Sequence, residues 1–340
     1  MVDGDRRATA GAARRQRPAR DRGGGLPRQG RRPSDHARPH PHARLSRTAT
    51  TGTSRPVSAA QTPTDIFDRR SRRLRRDRAA AGDYPAHAFL RDVMVEGLLE
   101  RLDAVKRGFT DVLDIGTPDA GITVPGARIA RFDPGHRFAR AAGGVQGDED
   151  RLPFADASFD GVFSAGVLDQ VNDLPGALTL IRRVLRPDGM FLGAFLGGGS
   201  LPALRAALRI AEGDRPAARL HPQIDVRSAG DLLMRAGFAL PVADVETFDV
   251  RYAHLGRLLD DLRGMAASNI LGSRSAMTRG TLARAAAAFA DAAGPDGRTV
   301  ERFSIIFVTG WAPDGSQPKP ARRGSATASL AAALQVPRSG

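Results

Sequence analysis

The chain has no cysteine and no long run of apolar residues. Without cysteine, its 340 residues can form neither disulfides nor thiolate metal sites. A membrane-spanning helix needs roughly 18 consecutive apolar residues, so we expect no integral membrane segment. These absences favour an intracellular protein.

Lysine is almost missing, and the first 60 residues lack most of the residue types that build a core. The chain has 49 arginines but only Lys106 and Lys319. Residues 1–60 contain no Ile, Phe, Tyr or Trp, and their 14 Arg against 4 Asp give +10 of the total +14. Such a segment buries too little surface to offset its chain entropy, so we predict that it is a disordered tail.

Three interpretations of this tail remain open. Its arginines could bind nucleic acid or another acidic surface. Its Arg-rich, acid-poor composition is also typical of an organellar transit peptide, although its Pro and Gly oppose an amphipathic helix. Translation upstream of the true start in GC-rich DNA would give the same composition. We favour this last interpretation and do not expect a nucleic-acid partner.

The basic run continues as "FDRRSRRLRRDRAA" over residues 67–80. Arg69, Arg72, Arg73 and Arg76 lie at helical spacing. We predict a solvated helix over the segment 61–85, leading into the domain that follows. A contact with nucleic acid is the alternative interpretation of these arginines.

Residues 86–312 alternate between strand and helix patterns and form the predicted domain, followed by a tail over 313–340. The predicted strands are "TDVLDIG", "ARIARFD", "FDGVFSAGV", "MFLGAFL", "FALPVADVETFDVRY" and "ERFSIIFVTGW". Alternation of this kind indicates a doubly wound, mostly parallel α/β sheet, in which the last two strands could form an antiparallel edge. Ser200 is the predicted N-cap of one helix, and Asn172 and Asp173 are expected to cap another.

Acidic residues stand where the first strands end, which is where ligands bind in such sheets. Asp114 and Gly116 close the first strand, Asp133 closes the second, and Asp148 and Glu149 precede "RLPF". A carboxylate after the second strand can accept both hydroxyls of a ribose, and an acid after the third can accept an adenine amino group. Gly116 lets the backbone approach a ligand closely.

The loop after the first strand, "GTPDAG", matches no phosphate-binding fingerprint. It lacks the G-x-G-x-x-G of dinucleotide sites and the Lys-Ser/Thr of a P-loop. A cofactor without phosphate groups fits better, and S-adenosylmethionine is the obvious candidate. No His-x-Asp or His-Glu-x-x-His pattern occurs, so we predict no metal site.

Several segments carry a family resemblance. "VLDIG", "ARFDP", "GDEDRLPFADASFDGVFS" and "VLRPDGMFL" resemble successive motifs of class I S-adenosylmethionine-dependent methyltransferases. "DIFDR", "VNDLPGALTLIRRVLRPDG" and "GWAPDGSQPKP" resemble the methyltransferase-like assembly factors of respiratory complex I, which include an arginine hydroxylase, and their alphaproteobacterial relatives. The resemblance implies a Rossmann-like, seven-stranded, mostly parallel sheet with an antiparallel edge strand. It also implies S-adenosylmethionine as cofactor, and a protein substrate or complex I subunit as partner.

Carried over by position, the resemblance assigns two groups of site residues. The cofactor residues are Asp114, Gly116, Thr117, Asp133, Asp148 and Glu149. The residues on the catalytic, acceptor side are Asp169, Gln170 and Asn172. The implied location is the bacterial cytoplasm, or the mitochondrial matrix if the source is eukaryotic.

The chain departs from the family pattern in three places. Pro118 removes an N–H from the cofactor loop, and Ala120 stands where the family has its last glycine. Only 19 residues separate Asp114 from Asp133, which leaves room for a turn rather than a full helix. Gln170 replaces a bulky aromatic. Two hypotheses follow: a methyltransferase acting on a protein, or an assembly factor of the chaperone or hydroxylase type with an eroded cofactor loop.

Overall fold

The computed structural model describes residues 65–214 and 217–317. The predicted tail over 1–60 and most of the predicted tail over 313–340 lie outside these residues. The helices are α1 (Arg69–Ala81), α2 (Phe89–Asp103), α3 (His136–Ala141), α4 (Leu174–Val184), α5 (Pro202–Glu212), α6 (Val226–Arg235), α7 (Leu255–Gly264) and α8 (Arg279–Asp291). The strands are β1 (Asp111–Ile115), β2 (Arg128–Asp133), β3 (Val145–Gln146), β4 (Phe159–Ala165), β5 (Leu185–Leu196), β6 (Ala239–Tyr252) and β7 (Thr299–Trp311).

These strands form one sheet in the order β3-β2-β1-β4-β5-β7-β6. Strands β1 to β5 pair in parallel, whereas β7 is antiparallel to both β5 and β6. The predicted seven-stranded, mostly parallel sheet is therefore confirmed. The reversed strand β7 is inserted one place in from the edge, and β6 is the edge strand itself.

Helices cover both faces of the sheet, which explains the nearly continuous apolar sequence of its central strands. Successive residues of β5 pack into two different hydrophobic clusters. Phe191 packs with α4 and α6, and Leu192 packs with α2. Both side chains are at most 1% exposed. None of the helices within the described residues is long and apolar enough to cross a membrane.

The connection between β1 and β2 contains only a single 3-10 turn, Pro118–Ala120. The prediction of a turn rather than a helix is thus confirmed. Asp119 and Ala120 adopt positive φ angles of 59° and 52°. A helix starting here would point a row of backbone N–H groups at a ligand, and this chain has no such row.

Helix ends were predicted with mixed success. Asp173 caps α4 by accepting a hydrogen bond from Gly176 N at 2.8 Å, as expected. The Ser200 prediction is wrong, because its hydroxyl instead donates to Ser304 O at 3.1 Å. The first turn of α5 is capped from far along the chain: the carboxylate of Glu301 accepts from Ala203 N at 3.0 Å and from Leu204 N at 2.8 Å.

Candidate functional site

The predicted cofactor acids meet at one edge of the sheet. Adjacent parallel strands β1, β2 and β3 end side by side, so Asp114, Asp133 and Asp148 lie at neighbouring strand ends. Each is at most 5% exposed. Gly116, just after β1, has φ +72°, and an added Cβ would lie 2.4 Å from Val167 Cγ1. Glycine is therefore required here by both backbone conformation and space.

Asp114, the first of these acids, is only partly hydrogen-bonded. Arg131 donates one hydrogen bond to Asp114 Oδ2 and another, at 2.8 Å, to Ile122 O. Burial raises the pKa of Asp114 to about 6, and Thr117, followed by the charge of Arg131, opposes that rise. Asp114 Oδ1 and the Thr117 hydroxyl are buried without a hydrogen-bond partner among the described residues. Buried polar atoms of this kind are expected to have partners, and Thr117 is close enough to Asp114 to lower its pKa, so the two groups can pair with each other or with a polar ligand.

Helix α1 lies directly over this edge. The Arg76 guanidinium donates to Asp133 Oδ1 at 2.9 Å, to Asp133 Oδ2 at 2.5 Å, and to Gly116 O at 2.9 Å. Arg76 is only 3% exposed. The predicted solvated helix is therefore wrong at this face, because its arginines are buried against the strand ends.

The other arginines of the same stripe meet the acids that follow β3. Arg72 binds both carboxylate oxygens of Glu149, at 2.6 and 2.9 Å, and donates to Val167 O at 3.1 Å. Arg73 binds Asp148 at 2.6 Å, and Arg69 binds both oxygens of Asp150 at 2.6 and 2.7 Å. Residues three and four apart share one face of a helix, so one stripe of α1 engages the whole acidic run.

The match between stripe and acids is a signal that sequence reasoning missed. Four arginines at helical spacing precede the run "DED" at 148–150, and the two segments carry complementary charge. Bidentate pairs between guanidinium and carboxylate are among the strongest hydrogen-bonded pairs in proteins. The nucleic-acid alternative for these arginines loses its basis, because their partners are acids of the same chain.

The site can be compared with what an adenosyl group requires. The residue types fit, and Asp148 Oδ1 is a further buried oxygen without a partner among the described residues. However, Asp133 already accepts two hydrogen bonds from Arg76 and one, at 2.6 Å, from Gly135 N. A carboxylate offers about four acceptor positions, so little remains for two ribose hydroxyls. With α1 in this position, Asp133 is therefore not available to a ribose, although the other acids are compatible with the group.

Two of the three predicted acceptor-side residues line a cavity. Asp169 and Gln170 lie in the 3-10 turn Leu168–Gln170 after β4, beside a cavity of about 440 Å³. Burial raises the pKa of Asp169 to about 6, with Arg72 opposing the rise.

Asn172, the third predicted acceptor-side residue, is not brought to this cavity. Its amide oxygen accepts from Phe67 N at 2.8 Å, and its amide nitrogen donates to Phe67 O at 3.0 Å. Asn172 therefore ties down the segment before α1. The catalytic role predicted for it does not agree with this geometry.

Comparison with known proteins identifies the class of protein to which this chain belongs. The family model described as "Methyltransferase domain" matches residues 122–193. YcgJ from Bacillus subtilis, a solved structure, is 16% identical with a TM-score of 0.46, covering 65% of this chain and 99% of that one. A malonyl-[acyl-carrier protein] O-methyltransferase from Laribacter hongkongensis is 31% identical over 70% of this chain and 86% of that protein. The protein is of the S-adenosylmethionine-dependent methyltransferase type.

Within that class, the similarity to one group extends over most of the chain. The mitochondrial arginine-hydroxylase NDUFAF5 of Danio rerio is 35% identical over 285 residues, which are 78% of this chain and 89% of that protein. The human NDUFAF5 is 34% identical over 84% of this chain and 88% of that protein. The chain belongs to the methyltransferase-like family that contains NDUFAF5.

No group of three or more His, Cys, Asp or Glu side chains suited to a metal ion occurs within residues 65–214 and 217–317.

Proposed function

We propose that this protein binds S-adenosylmethionine at the ends of β1, β2 and β3 and is a methyltransferase-type enzyme for a protein substrate. The observation that carries the proposal is the convergence of buried Asp114, Asp133 and Asp148 on one sheet edge beside Gly116. The family relationship supports it, and so does the cavity lined by Asp169 and Gln170. When bound, the cofactor supplies an electrophilic methyl group.

Binding requires a rearrangement of α1. Arg76 holds both oxygens of Asp133 and the carbonyl of Gly116. In the proposal, these contacts separate when the cofactor enters. Arg72 and Arg73 hold Glu149 and Asp148 in the same way, so α1 leaves as a unit.

The direct test is calorimetric titration of the full chain with S-adenosylmethionine and S-adenosylhomocysteine. We expect binding by the wild type and at least a tenfold loss in Asp133→Ala, because a hydrogen bond to a charged group contributes about 1.5–3 kcal/mol. Asp103→Ala, which removes an exposed acid at the end of α2, should bind as the wild type does. No binding by the wild type, together with none by Arg76→Ala, would contradict the proposal.

A second candidate function is an assembly factor for respiratory complex I that does not turn over a cofactor. The short β1–β2 connection and the occupied Asp133 favour this alternative. It would act in the bacterial cytoplasm or, for a eukaryotic source, in the mitochondrial matrix. A complex I subunit that forms a stable complex with the protein, and is recovered chemically unchanged, would support it.

The name of the relative NDUFAF5, an arginine-hydroxylase, suggests a third outcome, in which an arginine of the partner is hydroxylated. Mass spectrometry of a candidate complex I subunit incubated with the protein and S-adenosylmethionine distinguishes the possibilities. A mass increase of one methylene group supports methyl transfer. An increase of one oxygen atom supports hydroxylation and contradicts the methyltransferase proposal.

A further inference from the structure

The cavity lined by Asp169 and Gln170 has a strongly apolar wall. Its volume of about 440 Å³ lies within the range of small-molecule sites, about 300–1,000 Å³. One side is formed by leucines at the start of α5 and along α7. They are Leu201, Leu204, Leu208, Leu255, Leu259 and Leu262. Such a wall favours an aliphatic ligand rather than a polar one.

The opposite end of the cavity is polar and lies against α1. His221 Nε2 accepts from Ile270 N at 3.0 Å. Burial, followed by the charges of Arg75 and Arg72, lowers the pKa of His221 to about 4, so its ring is neutral and Nδ1 carries the proton. Arg72 also faces Asp169, which places these polar groups around one side of α1.

The charged side chains that line the cavity are mostly positive. Four arginines line the cavity, against one acid, Asp169. Three of those arginines have carboxylate partners: Arg219 with Glu212, Arg263 with Asp260, and Arg274 with Asp68. Arg75 has no hydrogen-bond or ion-pair partner among the described residues.

Arg75 is also partly buried. Burial lowers its pKa, the like charges of Arg274 and Arg78 lower it further, and the charge of Asp68, which pairs with Arg274, opposes this. A partly desolvated cation without a counter-ion is costly, and an anion placed beside it removes that cost. An anion that enters the cavity would give Arg75 a hydrogen-bonded partner.

We propose that this cavity binds an amphiphile with a single aliphatic chain and a terminal carboxylate. The chain lies against the leucines of α5 and α7. The carboxylate pairs with Arg75 and accepts a hydrogen bond from His221 Nδ1. This site uses none of the cofactor acids, so the inference goes beyond the proposed function, and it concerns the arrangement in which α1 covers the strand ends.

The test is calorimetric titration of the full chain, without cofactor, using decanoate, decan-1-ol and decylamine below their micelle-forming concentrations. We expect decanoate to bind, and decylamine to bind at least tenfold more weakly, because the ammonium meets Arg75 instead of pairing with it. From hexanoate to decanoate, affinity should rise up to about fourfold for each added methylene that is buried.

A matched pair of α1 variants separates the ion pair from general effects on the helix. Arg75→Gln should weaken decanoate about tenfold and leave decan-1-ol unchanged. Arg70→Gln, an exposed arginine of the same helix, should change neither. The proposal is overturned if the wild type binds none of the three probes, if decylamine binds as tightly as decanoate, or if Arg75→Gln weakens decan-1-ol as much as decanoate.

Discussion

Replacing Arg76 by alanine is the most informative perturbation of this protein. Arg76 donates three hydrogen bonds to buried acceptors, two of them to Asp133. Removing one partner of a buried ion pair costs about 3–5 kcal/mol, because the other charge stays buried. We therefore expect Arg76→Ala to lower the free energy of unfolding by about 3 kcal/mol, measured by urea denaturation followed by circular dichroism.

The same substitution should strengthen cofactor binding. In the wild type, S-adenosylmethionine has to separate Arg76 from Asp133, whereas in the variant Asp133 is already free. If about 2 kcal/mol of that contact is lost on binding, affinity rises about 30-fold in Arg76→Ala. Calorimetry measures this directly. The increase in thermal stability at saturating cofactor should also be larger in the variant than in the wild type.

Two further α1 variants test whether Arg76 keeps the cofactor away from Asp133. Arg76→Lys keeps the charge but loses the paired geometry, so its affinity for S-adenosylmethionine should lie between those of wild type and Arg76→Ala. Arg70→Ala removes an exposed arginine of α1 and should leave affinity unchanged. If Arg76→Ala binds the cofactor more weakly than the wild type, Arg76 helps to hold the cofactor, and the idea that α1 excludes it is wrong.

Three other predictions concern stability. The raised pKa of Asp169, about 6 against an ordinary 3.8, means that the folded state holds its proton more tightly, so stability falls as pH rises from about 4 to 6. Asp169→Asn should reduce that fall by up to about 3 kcal/mol in urea titrations across this range. Glu301→Ala should destabilise by about 1–2 kcal/mol, because the first turn of α5 loses its acceptor. Asn172→Ala should cost about 1–2 kcal/mol and speed proteolysis just before α1, because the paired bonds to Phe67 are lost.

Each of these stability predictions has an outcome that contradicts it. An unchanged pH dependence in Asp169→Asn would show that this carboxyl titrates normally. Glu96→Ala removes an exposed acid of α2 and should be neutral, so an equal effect of Glu301→Ala would argue against the cap. Cleavage before α1 at the wild-type rate in Asn172→Ala would show that its amide does not hold Phe67.

Local sequence features predicted six of the seven strands and the acids near their ends, but not the two-residue strand β3 (Val145–Gln146), so the count of seven came from the family resemblance. Apolar runs of strand length, separated by helical patterns, predict a parallel doubly wound sheet because each element has to bury its apolar face. Parallel strands end at one edge, so Asp114 and Asp133 had to lie close together. The 19-residue spacing between them excluded a full helix by length alone, and only a 3-10 turn occurs there.

Local sequence features could not predict which distant residues the polar side chains contact. Helical spacing places Arg69, Arg72, Arg73 and Arg76 on one face, yet an exposed face and a buried one have the same spacing. Glu301 caps a helix that begins 99 residues earlier in the chain, and Asn172 contacts Phe67 across 105 residues. Such pairs depend on where distant segments meet.

The amino-acid sequence by itself thus determined the fold class, the acidic strand ends and the shortened cofactor loop, because each depends on residues close together along the chain. The tertiary structure alone decided that α1 covers those acids and that Arg75 faces an apolar cavity. The physical reason is that a charged side chain does not specify its partner. Burial and proximity in the folded chain select one, and here they join the arginines of α1 to the acids that a cofactor would use.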